Sequence, residues 1–138
     1  MSEVQRKQSS CYCVNLRWAA NALTTKYDAA LKPAGITLAQ FSLLTGVGRL
    51  NGCTTTDLAR YSGLERTTVV RNLKSLFQKD LILDVSEEGK RNRNIMLTEK
   101  GKDALRTARP LWQHAQEEVE DSLGSELAKM IYKLSEQL

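Results

Sequence analysis

Thr54-Thr55-Thr56-Asp57-Leu58-Ala59-Arg60-Tyr61-Ser62-Gly63-Leu64-Glu65-Arg66-Thr67-Thr68-Val69-Val70-Arg71-Asn72-Leu73-Lys74-Ser75-Leu76-Phe77-Gln78-Lys79 reads as two short helices meeting at a glycine. The threonine cluster is suited to cap a first helix over residues 57–62, with Leu58 and Ala59 facing inward. Gly63 ends that helix, because glycine takes the positive φ that a tight interhelical turn demands. Leu64 follows as an apolar plug, and a second helix runs on from about Glu65. This is the grammar of a helix-turn-helix. In the second helix Val69, Leu73 and Leu76 recur at i, i+4 and i+7 and form one apolar stripe. Arg66, Thr67, Val70, Arg71 and Lys74 fall on the other side.

A buried stripe opposed by Arg, Thr and Lys is what a major-groove helix requires. Arg forks onto guanine, Thr bonds a phosphate or meets a thymine methyl, and Lys finds phosphates. The groove-facing set is Arg66, Thr67, Thr68, Val70, Arg71 and Lys74. An ordinary amphipathic helix with a solvated basic face has the same pattern, so the next residues decide. In Asp80-Leu81-Ile82-Leu83-Asp84-Val85 the residues Leu81, Leu83 and Val85 alternate, as do Ile95 and Leu97 further on. Two short strands therefore flank a polar tip that contains Gly89. The tip also holds Lys90, Arg91 and Arg93. A hairpin with a basic tip directly after a reading helix is a wing, suited to reach the neighbouring minor groove or the phosphate backbone. The expected fold class is mainly α with a two-stranded β-wing, a winged helix-turn-helix.

From Gly35-Ile36-Thr37-Leu38-Ala39-Gln40-Phe41 through the helix-turn-helix to Leu97-Thr98-Glu99-Lys100-Gly101, the chain resembles the MarR family of transcriptional regulators. It resembles in particular the branch that opens with Cys-x-Cys and carries Pro110-Leu111-Trp112 and Ala115-Gln116 later. The resemblance covers nearly the whole chain and implies a six-helix dimer. The wing departs from the family pattern. The usual Asp-x-Arg falls on Gly89 and Arg91, so the arginine is kept and its bracing acid is not, unless Glu87 or Glu88 stands in.

At 138 residues the chain fits one domain, and 41% hydrophobic with 26% charged residues is ordinary for a soluble globular protein. The charge is unevenly spread. Residues 55–102 hold ten Lys/Arg against seven Asp/Glu, and residues 103–138 hold four against seven. A basic reading head on an acidic assembly region suits nucleic acid as a partner. The first ten residues are polar and lack the apolar centre of a signal peptide, and no run is long enough to span a membrane, so a cytoplasmic protein is expected. No Ser/His/Asp set, Gly-rich phosphate loop, His-Glu-x-x-His or Cys-x-x-Cys pair is present, so neither an enzyme, a cofactor nor a metal site is expected. The single histidine, His114, reads as a packed or surface residue.

In chain order, Leu16, Ala19, Ala20, Leu23, Tyr27, Ala30 and Leu31 give a helix over residues 11–31, ended by Pro33 and Gly35. Thr37 caps the next, with Gln40 three places on in a capping-box arrangement and Leu38, Phe41, Leu44, Val47 and Leu50 inward. After the wing, Thr98 caps a long helix carrying Leu105, Ala108, Trp112, Ala115 and Val119, which Pro110 should bend. Leu127, Ile131, Leu134 and Leu138 mark a last helix. Residues 36–98 form the DNA-binding lobe of this single domain (residues 1–138), and residues 8–35 and 99–138 a helical dimerisation lobe. Those outer helices are one-faced and too few to bury their stripes as a lone layer, so they either fold back on the winged part of the same chain or pair with a second copy. The family resemblance and a DNA-reading role favour a homodimer, reading an inverted-repeat operator in double-stranded DNA. A winged-helix interaction or structural dimer without DNA binding is the alternative.

Two further sites follow from the resemblance. It implies a small-molecule effector between reading head and dimer helices, in a crevice lined by Trp18, Phe41 and Trp112, although helix stripes explain these residues equally. It also puts Cys13 where the family's organic-hydroperoxide sensors carry their reactive cysteine, and Tyr27 where they carry a tyrosine that bonds it. Leu38 and Arg17 stand where those sensors have further tyrosines. Arg17, one turn from Cys13, is suited to favour its thiolate. Against this, Cys11 and Cys13 read as small apolar fillers. The two share a metal or a disulfide only if the helix begins after them, since residues i and i+2 point apart on a helix.

Overall fold

The computed structural model describes residues 8–138. The expectation about a signal peptide falls mostly on residues 1–7, outside the described residues. The elements are α1 (Tyr12–Leu31), a 3-10 turn (Lys32–Ala34), α2 (Leu38–Leu50), α3 (Thr55–Ser62), α4 (Arg66–Gln78), β1 (Ile82–Asp84), β2 (Ile95–Leu97), α5 (Glu99–Leu123) and α6 (Glu126–Gln137). This is the expected mainly helical fold with a two-stranded antiparallel hairpin.

Side-chain caps define where the helices start. Thr37 accepts from the Gln40 amide and Gln40 Oε1 accepts from the Thr37 amide, a full capping box at α2. Thr54 and Asp57 repeat it at α3. Thr98 Oγ1 accepts from Gly101 at the head of α5. Gly63 takes φ 67° and turns α3 into α4. α5 continues through Pro110 as one helix.

The end of α4 corrects the expected strand phase. Asp80 adopts φ 60°, its amide donates to the Phe77 carbonyl, and the Leu81 amide donates to the Leu76 carbonyl, both at 3.0 Å. This is a Schellman cap, and Leu81 is its apolar anchor rather than the first member of an alternating strand. The buried pair is therefore Leu81 and Ile82, whereas Leu83 and Val85 are exposed. The hairpin pairs Ile82 with Leu97, Leu83 with Met96 and Asp84 with Ile95. Cys53 adds a one-residue third strand, exchanging both backbone bonds with Ile95 (3.2 and 2.8 Å).

The main core joins Leu43, Leu44 and Val47 of α2, Leu58 of α3, Val69, Leu73 and Leu76 of α4, and Ile82 and Ile95 of the wing. Leu31 and the α5 residues Leu105 and Ala108 close it. Leu50, expected inward, lies on the exposed last turn of α2. α5 starts hard against the end of α4: a Cβ at Gly101 would stand 2.0 Å from the Leu81 carbonyl oxygen. Tyr27, Ala115 and Val119 form a second, smaller cluster between α1 and α5. α6 has no buried residue, and Met130, Ile131 and Tyr132 are exposed. Among the described residues no helix is long and apolar enough to cross a membrane.

Candidate nucleic-acid interface

The two faces of α4 separate as their spacing requires. Val69, Leu73 and Leu76 are buried, and Arg66, Thr67, Val70, Arg71 and Lys74 line one exposed surface. Thr68 departs from the expected set. At about 100° per residue it falls on the flank with Asn72 and Ser75, is half-buried, and its carbonyl accepts from Asn72 Nδ2. Arg66 is steered toward α3, where its Nη1 donates to Thr56 Oγ1 at 3.1 Å.

The wing residues split into two groups. Lys90 and Arg91 are at the exposed tip, and Lys90 pairs with Glu87 at 3.5 Å. Glu87 is therefore occupied, and none of the ion pairs among the described residues involves Arg91. Arg93, expected at the tip, sits instead at the wing root with its guanidinium 5.0 Å above the Phe77 ring, a cation–π contact with α4. A trough between α4 and the wing results, lined by Arg66, Val70, Lys74, Phe77, Asp84 and Arg93. Asp84 Oδ1 accepts from the amides of Ser86 and Asn94 and ties the two sides of the hairpin. Hydrogen bonds from Ser86 and then Asn94, with the charge of Arg93, hold its carboxyl below the usual carboxylate range. Sequence reasoning missed Phe77 and Asp84 in this role. Phe77 lies at the edge of the apolar stripe, which was the available signal.

Phe41 and Trp112 stack at 6.0 Å and 24° on one side of a crevice that also contains Thr45, Arg49, Arg109 and Pro110. Trp18 is not among its lining residues. It lies 13 positions before the end of α1, roughly 20 Å along the axis. The crevice is lined from α2 and α5, and α1 contributes no residue to it.

Cys11 is the N-cap of α1 and Cys13 lies in its first turn, both exposed. Tyr27 is 14 residues on, roughly 21 Å along the helix, buried, with its hydroxyl bonded to Gln116 Oε1. Cys13 and Tyr27 therefore do not meet within one chain. Burial first, then the charge of Asp57, pushes the Cys53 thiol up to about 11. No group of His, Cys, Asp and Glu with metal-site geometry exists among the described residues. His114 is on the surface, with Nε2 3.0 Å from Glu118, which also takes Lys26 of α1 at 2.7 Å.

A model of the MarR family matches residues 34–91. Among solved structures, the Mycobacterium tuberculosis transcriptional regulator MosR is 36% identical, over 94% of this chain and 96% of that one, with a TM-score of 0.81. The same regulator in complex with DNA is 38% identical over 93% and 96%, with a TM-score of 0.80. The S. aureus MepR–DNA complex, at 22% identity over 94% and 97% and a TM-score of 0.77, is alike in fold. No curated protein matches.

Proposed function

Because the chain belongs to the MarR family of transcriptional regulators, we propose that it is a sequence-specific DNA-binding repressor acting as a homodimer on an inverted repeat. The observation that carries this is the exposed Arg66, Thr67, Val70, Arg71 and Lys74 face of α4, opposed to a fully buried stripe. An interaction module would expose apolar side chains there, and Val70 is the only one. The DNA complex of MosR supports the same reading. Residues 36–98 read DNA, with Lys90 and Arg91 reaching beyond the major groove and Arg93 lying against the backbone. Residues 8–35 and 99–138 pair the protomers. The half-sites lie about one helical turn apart, roughly 34 Å. A mobility-shift titration on the protein's own upstream region against random DNA of equal length tests this, and equal affinity for both would sink it.

Release from DNA comes from a signal received where α2 of the DNA-binding lobe meets α5 of the helical lobe, or at the start of α1. The crevice beside Phe41 and Trp112 offers an aromatic wall to a planar ligand, with Arg49 and Arg109 at hand for its anionic group. An aromatic carboxylate is the class that fits. Cys13 is the second input. It is exposed at the start of α1, where oxidation is sterically open. Cumene hydroperoxide should weaken DNA binding of the wild type several-fold and leave Cys13→Ser unaffected, with recovery on adding reductant. Equal loss in both proteins would make Cys13 structural.

A further inference from the structure

Gln40 is the one buried polar residue among the described residues, 5% exposed. Burying an amide is unfavourable unless its acceptor and donor are both used. Here they are. Gln40 Oε1 accepts from the Thr37 amide (3.1 Å) and from Lys79 Nζ (3.2 Å), and Nε2 donates to Ser75 Oγ (3.1 Å). Lys79 Nζ also donates to the Gly35 carbonyl at 3.0 Å. Two residues before Gln40, the Leu38 amide donates to Asp28 Oδ1 of α1 at 2.7 Å. A polar path therefore runs from α1, through the first turn of α2, to the last turn of α4.

Capping α2 explains only the first of these bonds. The bonds to Ser75 and Lys79 do nothing for the start of α2, and an apolar residue would otherwise suit a site beside Leu43 and Leu44. What they add is direction. The remaining contacts between α4 and α2 are apolar, through the cluster that holds Val69, Leu73 and Leu76, and such packing is not directional. Hydrogen bonds are. Among the described residues, Gln40 and Lys79 make the side-chain hydrogen bonds that join α4 to the segment from Gly35 to Gln40. The other bond leaving α4, from Arg66 to Thr56, stays inside the helix-turn-helix.

We propose that Gln40 is a positioning residue for DNA recognition. It fixes the angle of α4 against α2, hence the distance between the two reading helices of the dimer, and it is where a shift of α1 reaches α4. This rests on the dimeric regulator reading given above.

Gln40→Leu keeps the volume and removes all three bonds. Gln40→Glu keeps them, because a carboxylate accepts from Thr37, from Lys79 and from the Ser75 hydroxyl turned to donate. The full chain is spin-labelled at Gln78→Cys on α4, with Cys11→Ser and Cys13→Ser removing the exposed thiols. Electron–electron distances between the two labels are read without DNA. Affinities are then read on palindromes with matched, shortened and lengthened half-site separation. Wild type and Gln40→Glu should show one narrow distance and about a tenfold preference for one separation, and in Gln40→Leu the distance broadens and the preference falls to about twofold. A narrow distance in Gln40→Leu, or equal weakening at every separation, overturns the proposal. Should Gln40→Leu fail to fold, Ser75→Ala removes one bond from the α4 side and must broaden the distance likewise, an unchanged width again overturning it. A wild type that binds no sequence selectively but gives a distance that Gln40→Leu broadens refutes the regulator reading and the recognition role with it, and leaves Gln40 only as the residue that fixes α4 in the pair. A wild type with no inter-label distance overturns both.

Discussion

α4 and α6 are amphipathic helices of 13 and 12 residues, and they end in opposite circumstances. α4 seats Val69, Leu73 and Leu76 in the main core, and its outer face is Arg, Thr and Lys. α6 leaves its apolar face open, with Met130 at 55% and Ile131 at 48% exposure. An apolar stripe states that a face must be covered and not what covers it. For α4 the cover comes from α2, α3 and the wing of the same chain, so its free face is available for a ligand. For α6 the chain covers only part of the stripe, Leu127 packing against the Tyr27 cluster while Met130 and Ile131 stay exposed, and that open face is one a second copy can cover. One helix is finished by folding and the other by assembly.

Substitutions in the finished half should unfold the chain, and those in the unfinished half should only separate it. The largest effect is expected at Gly101. Its Cβ would meet the Leu81 carbonyl at 2.0 Å, a rigid backbone atom, so Gly101→Ala should cost about 3–5 kcal/mol, at the upper end of single substitutions. Urea unfolding checks this, and a loss under about 1 kcal/mol would mean that α5 slides freely off the end of α4. Ile131→Lys should leave the α4 half folded and raise the dimer dissociation constant by about a hundredfold or more. Sedimentation over a concentration series reads it; unchanged mass would show that α6 is not at the interface.

Smaller effects separate residues within the reading face. Arg71→Ala should cost about 1–3 kcal/mol and relax preference at one position in each half-site. Arg91→Ala should weaken all sequences alike and reduce the slope of log affinity against log salt by about one per protomer. Reversed outcomes would make the wing the specific reader. The smallest effect belongs to pH. The Thr54 amide and hydroxyl hold Asp57 below its ordinary value, and the Ser86 and Asn94 bonds do the same for Asp84. A depressed carboxyl adds stability above its unfolded value and loses it as pH falls through the folded one. Stability should therefore decline from about pH 4 downward. Asp57→Ala should flatten that decline slightly in acid titration of the unfolding midpoint, and an unaltered profile would show that its cap contributes nothing.

Much of this was legible in the sequence because it is local. A capping box needs Thr37 and Gln40 three residues apart, and Gly63 announces its own turn. The inward stripe of α4 follows from spacing alone. The errors arise where two local rules compete or where the partner is remote. Leu81, Leu83 and Val85 alternate like a strand, but a Schellman cap claimed Leu81 first. Cys53 forms a single-residue bridge, which has no periodicity to read. Trp18 belongs to α1, and the crevice is lined from α2 and α5 alone. The positions of Arg93 over Phe77 and of Gln40 between Ser75 and Lys79 depend on how α4 docks, which no pattern within either segment records.

The one-residue strand at Cys53 bears on how such a protein lets go. Cys53 fastens the root of the hairpin to the exit of α2, the Schellman cap fastens it to α4, and Gly101 admits no gap on the third side. The hairpin is thus no arm swinging on a flexible shoulder. It belongs to the same solid block as the reading helix, like two prongs forged on one fork. A rotation of α4 therefore carries the root of the hairpin with it. On the DNA-binding reading proposed above, partial release then belongs to the pair, with one fork in and the other out.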